Sequence, residues 1–423
     1  MKPRYWLVAL WMSAAHAADP PLTLETVLAQ ASMPHPQLAL AQAQADAAQA
    51  EIDLADSLND FQLSIEGSLR GGRNALYDDH FRPDHQAQLI ARKRIYDGER
   101  SESRVGAARE EAKARAVQLM DAYAQRRSTL MARYFDVLLA DMQFNAETEF
   151  MATAFVAWDN AKDRFSQGQI PQWSVTELES RYLESLGKRN DARRKLREKR
   201  MQLAAAMNRP GMVQEDLMDP NLAANARKLP EYEALLAQAM ANNPSIKAQN
   251  QMLLAAQQRR HAARADYQPT LELEGAAAAW SRDSSTRDDL RVGLNFVLPL
   301  WQGGRQDAAL AKEQARITEI QARHDALVLD VRESVLSLRE EIDYLQNTAR
   351  RVADLNAQYR NLALDKARAE YELELKTNLG SSMAETQLAK LKQRSVEYRL
   401  ALALARLDAL LGTAMQEQQK DKP

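Results

Sequence analysis

Two stretches of the chain alternate between hydrophobic and polar residues with a period of two. In the stretch 290–298 every second residue is apolar, from Leu290 to Leu298. The stretch 61–70 shows the same alternation, with Phe61 and Ile65 among its apolar members. A period of two predicts β-strands that have one apolar face and one polar face. A less regular stretch, 85–96, is expected to be the strand that returns beside 61–70, although Lys93 and Arg94 interrupt its pattern.

Long runs without glycine or proline follow the predicted strands. Residues 305–379 contain neither residue and are rich in Ala, Glu, Gln, Arg and Leu. Such a run predicts very long helix. The segment 98–166 predicts another helix of about 100 Å, at 1.5 Å per residue. Each of these helices is expected to turn back through a short loop into a second long helix. The residues between the first two strands, 71–83, are expected to form a polar loop.

The whole pattern occurs twice along the chain. Residues 62–67 resemble 270–275, and Pro36 and Pro244 occupy matching positions before them. Repetition over this length indicates duplication of a complete structural unit, because solenoid repeats are only 20–50 residues long. The expected division is a signal peptide at 1–17, a first repeat at 18–211, a linker at 212–230, a second repeat at 231–412 and a polar tail at 413–423. Within the repeats, strands are expected at about 60–71, 84–96, 269–280 and 289–300, and long helices at about 98–166, 172–208, 304–373 and 381–411.

The first seventeen residues have the pattern of a secretory signal peptide. Lys2 and Arg4 precede an apolar run, and Ala15-His16-Ala17 is a cleavage site of small residues. We expect export, cleavage after Ala17 and no lipid attachment, because no cysteine follows the site. No later apolar run approaches the ~20 residues of a membrane helix. An exported chain of this kind can therefore enter a membrane only as a β-barrel.

Composition narrows the possible functions. The formal net charge is −2 and positive and negative residues are interleaved, so nothing indicates nucleic-acid binding. The absence of cysteine excludes disulfides and thiolate metal sites. The six histidines show no metal-ligand spacing, and no nucleophile, base or phosphate-binding motif is present. We therefore expect a protein that is not an enzyme and has no cofactor or bound metal.

Four strands cannot close a barrel within one chain, because the smallest membrane barrels have about 8 strands. The sequence thus predicts closure by association of copies, with eight strands from two chains or twelve from three. The long helices would continue such a barrel as a cylinder of packed helices. Alanine at contact positions lets these helices approach each other closely.

Together these features resemble the TolC family of outer-membrane efflux channels. The resemblance rests on the duplicated unit, on Leu-Pro-Leu-Trp-Gln-Gly-Gly-Arg at 298–305 and on Arg-Phe-Ser-Gln-Gly at 164–168. It implies a mainly helical fold with a small β part: a homotrimer with a twelve-stranded barrel in the outer membrane and an α-helical barrel in the periplasm of a Gram-negative bacterium. It also implies contact with outer-membrane lipid, a periplasmic adaptor and an inner-membrane pump of the RND or ABC type. The expected function is passive conduction in a tripartite efflux or type I secretion system.

The resemblance also points to candidate sites. In the family the tips of the helix hairpins meet the adaptor. In this chain the tip positions are Gly168, Gln169, Ile170 and Pro171 in the first repeat, and Glu374, Leu375, Lys376 and Thr377 in the second. Simple capping of a helix hairpin would explain the same residues. Glu374 stands where the family usually has glycine.

Acidic residues near the tips are candidates for a gate. Family channels can narrow their mouth with rings of carboxylates, which bind cations. The candidates here are Glu177, Glu179, Glu374 and Glu385. Each also fits a solvated helix face. One alternative for the whole protein is a periplasmic coiled-coil adaptor or scaffold without a pore, and another is a secreted hydrolase on a helical scaffold. The alternation at 61–70 and 290–298 disfavours the first, and the lack of catalytic motifs disfavours the second.

Overall fold

The computed structural model describes residues 21–74, 78–213, 216–281, 287–373 and 379–413. For Asn74, Asp78 and Asp79 it describes the backbone alone. The first half of the chain contains these elements: α1 (Leu24–Ala29), α2 (Pro36–Ser57), β1 (Gln62–Ser68), β2 (Gly71–Asn74), β3 (Asp78–Pro83), β4 (Gln86–Tyr96), α3 (Arg100–Ser166) and α4 (Gln172–Ala206). The second half contains α5 (Tyr232–Asn242), α6 (Pro244–Arg264), β5 (Thr270–Trp280), β6 (Leu290–Val297), α7 (Arg305–Tyr344), α8 (Arg350–Glu372) and α9 (Leu379–Leu410). The predicted fold class, mainly helical with a small β part, is confirmed.

The chain forms two compact units, and each unit draws on both sequence repeats. The first unit comprises the residues up to Met33, Arg127–Ala226 and Leu345–Leu402. The second comprises Pro34–Arg126, Arg227–Tyr344 and the residues from Ala403 onward. The division therefore separates the helix hairpins from the sheet and its flanking helices.

The core of the first unit lies where α1, α3, α4 and α9 meet. Leu130, Tyr134 and Leu203 are completely buried there, and the ring of Phe135 stacks on that of Tyr398 with centroids 4.5 Å apart. The Tyr134 hydroxyl donates to the carbonyl oxygen of Leu22 at 2.9 Å. Burial, followed by the negative charge of Asp219, raises the pKa of Tyr134 to about 12. This buried hydroxyl fastens the start of the described chain to α3.

An ion-pair network attaches the linker between the repeats to the same unit. The Arg350 guanidinium donates to both carboxylate oxygens of Glu397, at 2.6 and 2.8 Å. The buried amide of Asn225, in a short 3₁₀ turn (Ala223–Ala226) of the linker, donates to the same carboxylate at 2.7 Å. Burial alone would raise the pKa of Glu397, but hydrogen bonds from Arg350 and Asn225 outweigh it and hold this pKa below its usual range. The linker is thus held by a charged group.

The second unit is organised around an antiparallel four-stranded sheet in the order β1-β4-β5-β6. The central ladder joins the two repeats: β4 pairs with β5 from Gln86–Trp280 to Tyr96–Leu271, with an irregularity between Arg94 and Tyr96. Helices α6 and α7, which precede β5 and follow β6 along the chain, pack against each other through Ala256, Ile317 and Ile320.

Two features differ from the expectation. The segment 71–83 is not a polar loop, because β2 and β3 pair there as a hairpin with Gly71 opposite Pro83. The long helix expected at 304–373 is divided by a π-helical turn (Leu345–Ala349), in which Leu345 is fully buried. Single π turns of this kind insert an extra residue into a helix and shift the faces that follow it.

Candidate functional site

The strand register sorts the side chains of the sheet into two faces. Successive residues along a strand point to opposite faces of the sheet, and residues directly opposite each other on paired strands point to the same face. Apolar rows crossing all four strands are Leu63–Ala91–Gly275–Val292 and Ile65–Leu89–Ala277–Leu290. One face of the sheet is therefore apolar from edge to edge.

This apolar face has no cover within the described residues. Ile65 is 80% exposed, Leu290 73% and Leu294 63%. A contiguous apolar surface of this extent indicates contact with a membrane or another protein.

The opposite face carries a charge network that the sequence analysis did not identify. Arg92 lies at its centre, with its Nε 3.0 Å from Glu274. Its guanidinium is also 3.8 Å from Glu66 and 3.9 Å from Glu272, and Arg291 reaches Glu274 at 3.0 Å. These ion pairs link all four strands across the polar face.

The polar residues of the alternating stretches 61–70 and 290–298 lie on this opposite face of the sheet. By register Gln62, Ser64, Glu66, Arg291 and Asn295 all occupy the polar face. Arg70 lies beyond the end of β1, where its guanidinium donates to Gln86 at 3.3 Å.

Lys93 is the exception in β4, because it pairs with Leu273 on the apolar face. It lies near the end of β4 that leads into α3, where a lysine can extend its ammonium toward water. Arg92 and Arg94 keep the period of two on the polar face, so of the two residues that interrupt the pattern in the sequence only Lys93 lies on the apolar face.

The first helix hairpin turns through an exposed cap. Gly168 adopts a left-handed conformation with φ of 72°. Its N–H donates to Phe165 at 2.9 Å, and the N–H of Gln169 donates to Arg164 at 2.9 Å. This pair of bonds ends α3 in a Schellman motif, and Pro171 then precedes the first residue of α4. Capping explains the local sequence, while the exposure of Gly168, Gln169 and Pro171 leaves the tip accessible.

Exposed aromatic side chains flank this tip. Trp173 is 67% exposed in the first turn of α4, and Phe165 is 42% exposed in the last turn of α3. Farther from the tip, Trp158 stacks on Tyr182 at 5.1 Å and joins the two arms of the hairpin. The tip therefore combines a rigid base with exposed aromatic rings.

The second tip lies outside the described residues, as do the expected positions Glu374, Leu375, Lys376 and Thr377. Its flank is close-packed: a Cβ on Gly380 would lie 2.6 Å from the hydroxyl of Thr153 on α3.

The candidate gate acids within the described residues have different surroundings. Glu177 is exposed and pairs with Arg181 one turn along α4, at 2.6 Å. Glu179 is exposed, and none of its described neighbours forms an ion pair with it. Glu385 pairs with Arg360 and so links α9 to α8. Of the three, only Glu179 is an unpaired carboxylate.

Neither a metal site nor a helical membrane span is found in the described part of the chain. No group of His, Asp and Glu residues there is arranged to hold a metal ion. Among the same residues, every helix is too short or too polar to cross a bilayer.

This arrangement of a small sheet and paired long helices is a fold that solved outer-membrane channels share. The chain has the fold of the CmeC outer membrane channel of Campylobacter jejuni, with a TM-score of 0.76 and 14% identity over 100% of this chain and 96% of that one. It matches VceC from Vibrio cholerae with a TM-score of 0.72 and 18% identity, over 92% and 96% of the two chains. The match to CusC has a TM-score of 0.73 and 17% identity, over 92% of each chain.

The sequence itself carries a family signature. Residues 235–413 match the model of the family described as Outer membrane efflux protein. A comparison with curated protein sequences gave no match. The resemblance to the TolC family of outer-membrane efflux channels is thus confirmed.

Proposed function

We propose that the chain is one subunit of a homotrimeric outer-membrane channel, which conducts substrate passively from a periplasmic adaptor and an inner-membrane pump to the outside. The observation that carries this proposal is the exposed apolar face of the sheet. Its rows, for example Ile65 to Leu290, cross every strand. An apolar face of this kind is stable in contact with a lipid bilayer, and the charged face around Arg92 is stable in contact with water.

The edges of the sheet support closure by several copies. Within the described residues β1 pairs only with β4, and β6 pairs only with β5. Unpaired strand edges are not tolerated in lipid, because their N–H and C=O groups would lose hydrogen bonds. Pairing of β1 in one copy with β6 in the next satisfies both edges, and three copies then supply twelve strands.

A pair of substitutions on β6 tests the membrane assignment. Leu294→Lys places a charge on the apolar face, where a lysine at the bilayer midplane costs about 2–4 kcal/mol per copy. We expect this variant to be depleted from the outer-membrane fraction and to lose the trimer band in a mild-detergent gel. Asn295→Lys is the matched control, because Asn295 lies on the polar face opposite Glu272.

The outcomes separate channel from scaffold. A channel should show trimers and conductance in planar bilayers for wild type and Asn295→Lys, but not for Leu294→Lys. Recovery of wild type from the soluble periplasm, with both variants behaving alike, would instead support the adaptor or scaffold without a pore.

We assign adaptor contact to the first hairpin tip, Gly168 to Pro171, and by analogy to the second tip with Glu374, Lys376 and Thr377. Support comes from the exposure of Gln169 and from the exposed rings of Phe165 and Trp173 beside it. Exposed aromatic residues are enriched at protein interfaces, because they bury large areas with few rotatable bonds.

Crosslinking in the native host tests this assignment. A photoreactive residue at Gln169 should capture a periplasmic protein, whereas the same residue at Arg197, exposed on α4 about 37 Å from the first residue of that helix, should not. Equal capture from both positions would exclude a specific contact at the tip.

A further inference from the structure

The second unit contains a cavity of about 660 Å³ whose lining is strongly basic. The cationic side chains of the lining are Arg115, Arg259, Lys312, Arg316 and Arg323, and its carboxylates are Glu111 and Glu319. Five positive groups against two negative ones leave a net charge of +3 for each chain.

The cavity lies on one side of three packed helices. Helix α6 contacts α3 through Arg259, which pairs with Glu111, and contacts α7 through Gln249, which donates to Ile320 at 3.1 Å. Residues of α3, α6 and α7 all line the cavity.

The internal ion pairs of the cavity do not use all of its positive charge. Glu111 is paired with Arg259, and Glu319 is paired with Arg323 at 2.5 Å. Lys312 and Arg316 have no carboxylate partner among the described residues. They lie one turn apart on α7, where two like charges destabilise a helix. The fold thus keeps two unpaired cations together at a cost, and a bound anion would compensate for it.

We propose that this basic face lines the water-filled passage next to the sheet and binds multivalent anions, of the phosphate- or carboxylate-bearing class, as they pass. The proposal rests on the proposed trimeric channel, in which the face recurs three times around the passage. Rings of Arg and Lys select anions in pores, and guanidinium groups bind phosphate and carboxylate with two parallel hydrogen bonds.

The test is channel block by inorganic triphosphate in planar bilayers. In the variant Lys312→Gln/Arg316→Gln we expect the half-blocking concentration to rise about tenfold or more, because two charges are lost from each of three copies. The permeability ratio of potassium to chloride should also rise. Lys312→Arg keeps the charge, so its half-blocking concentration of triphosphate should equal that of wild type.

Arg260 and Arg264 provide the matched control. They line a separate cavity of α6 and α7 together with Gln314. Gln314 is two residues from both Lys312 and Arg316, which places it about 160° from them around α7. Arg260→Gln/Arg264→Gln removes the same charge from the other face and should leave block unchanged.

The outcomes separate the two proposals. A conducting wild-type trimer with equal block in all variants would overturn the anion site and leave the channel intact. An equal loss of block in the Arg260/Arg264 control would also overturn it, because net charge alone would then explain the effect. A wild-type chain that forms no channel would overturn the proposed function itself.

Discussion

Glu397→Gln should weaken the attachment of the linker between the two repeats, although Asn225 keeps its hydrogen bond to the backbone carbonyl of Glu397. The substitution keeps the size of the side chain but removes the charge that accepts two hydrogen bonds from Arg350 and one from the buried amide of Asn225. Breaking a fully buried ion pair costs about 3–5 kcal/mol. The side chains of Arg350 and Glu397 are 28% and 18% exposed, so water can solvate the Arg350 guanidinium in the variant and reduces this cost. Opening of the linker breaks only the bond from Asn225 to this carboxylate, so we expect its opening free energy to fall by about 1 kcal/mol, the difference between a charge-assisted and a neutral hydrogen bond.

Hydrogen exchange of the detergent-solubilised full chain measures this loss directly. Amides of the linker turn at 223–226 report local opening of that segment. A decrease of about 1 kcal/mol in the opening free energy makes their exchange about fivefold faster. Glu340→Gln is the control, because Glu340 is an exposed partner of Arg339 and such surface pairs contribute about 0–1 kcal/mol.

The effect should also depend on pH in a defined direction. The pKa of Glu397 is lowered in the folded chain, so its stabilising contribution is complete above the unfolded pKa of about 4.3 and is lost as pH falls through the lower folded value. The difference between wild type and Glu397→Gln should hence persist at neutral pH and shrink in acid below pH ~4. Equal exchange of the two proteins at neutral pH, or a difference that grows in acid, would refute the reasoning.

Three further predictions concern single residues. Gly168→Ala should destabilise the first hairpin by about 1–2 kcal/mol, because the backbone of Gly168 is left-handed. Gly187→Ala, in open space within α4, should instead stabilise the protein by about 0.5–1 kcal/mol. Thermal unfolding in detergent distinguishes the two signs. Gly412→Ala places a Cβ 2.5 Å from the carbonyl oxygen of Asn242 and should cost at least about 2 kcal/mol in the same assay, since backbone cannot yield as a side chain does. Tyr134→Phe should lower the free energy of unfolding by about 1–2 kcal/mol. Because the pKa of Tyr134 is raised to about 12, this difference from wild type should be complete below pH ~10 and lost as pH rises toward 12.

Hydrophobic alternation was sufficient to predict the outer strands of the sheet. At β1 and β6 one face of the strand is apolar and the other is polar, so the period of two is visible in the sequence. Strand β4 was harder to recognise, because Lys93 lies on the apolar face. The β2–β3 hairpin was missed, because the glycines at its start and Pro83 at its end resemble an irregular loop.

Contacts between distant parts of the chain had no local signal. Arg350 and Glu397 are 47 residues apart, and Asn225 is 172 residues from Glu397. The π turn at 345–349 likewise lies in ordinary helical sequence. The basic cavity could not be predicted for the same reason. Its residues come from three helices, and in each helix basic and acidic residues are interleaved along the sequence. The first tip was predictable, because a glycine followed three residues later by proline interrupts an otherwise continuous helical pattern.

The ladder between β4 and β5 has a consequence for symmetry. It joins the two similar halves of one chain in a single sheet, so the proposed closed ring of three chains would contain six repeated units. Their seams would alternate between three β4–β5 ladders within a chain and three contacts between chains. Only the latter must find each other in the membrane. A substitution in one half then changes every second unit, and the two kinds of hairpin tip can diverge to meet different surfaces of the same partner.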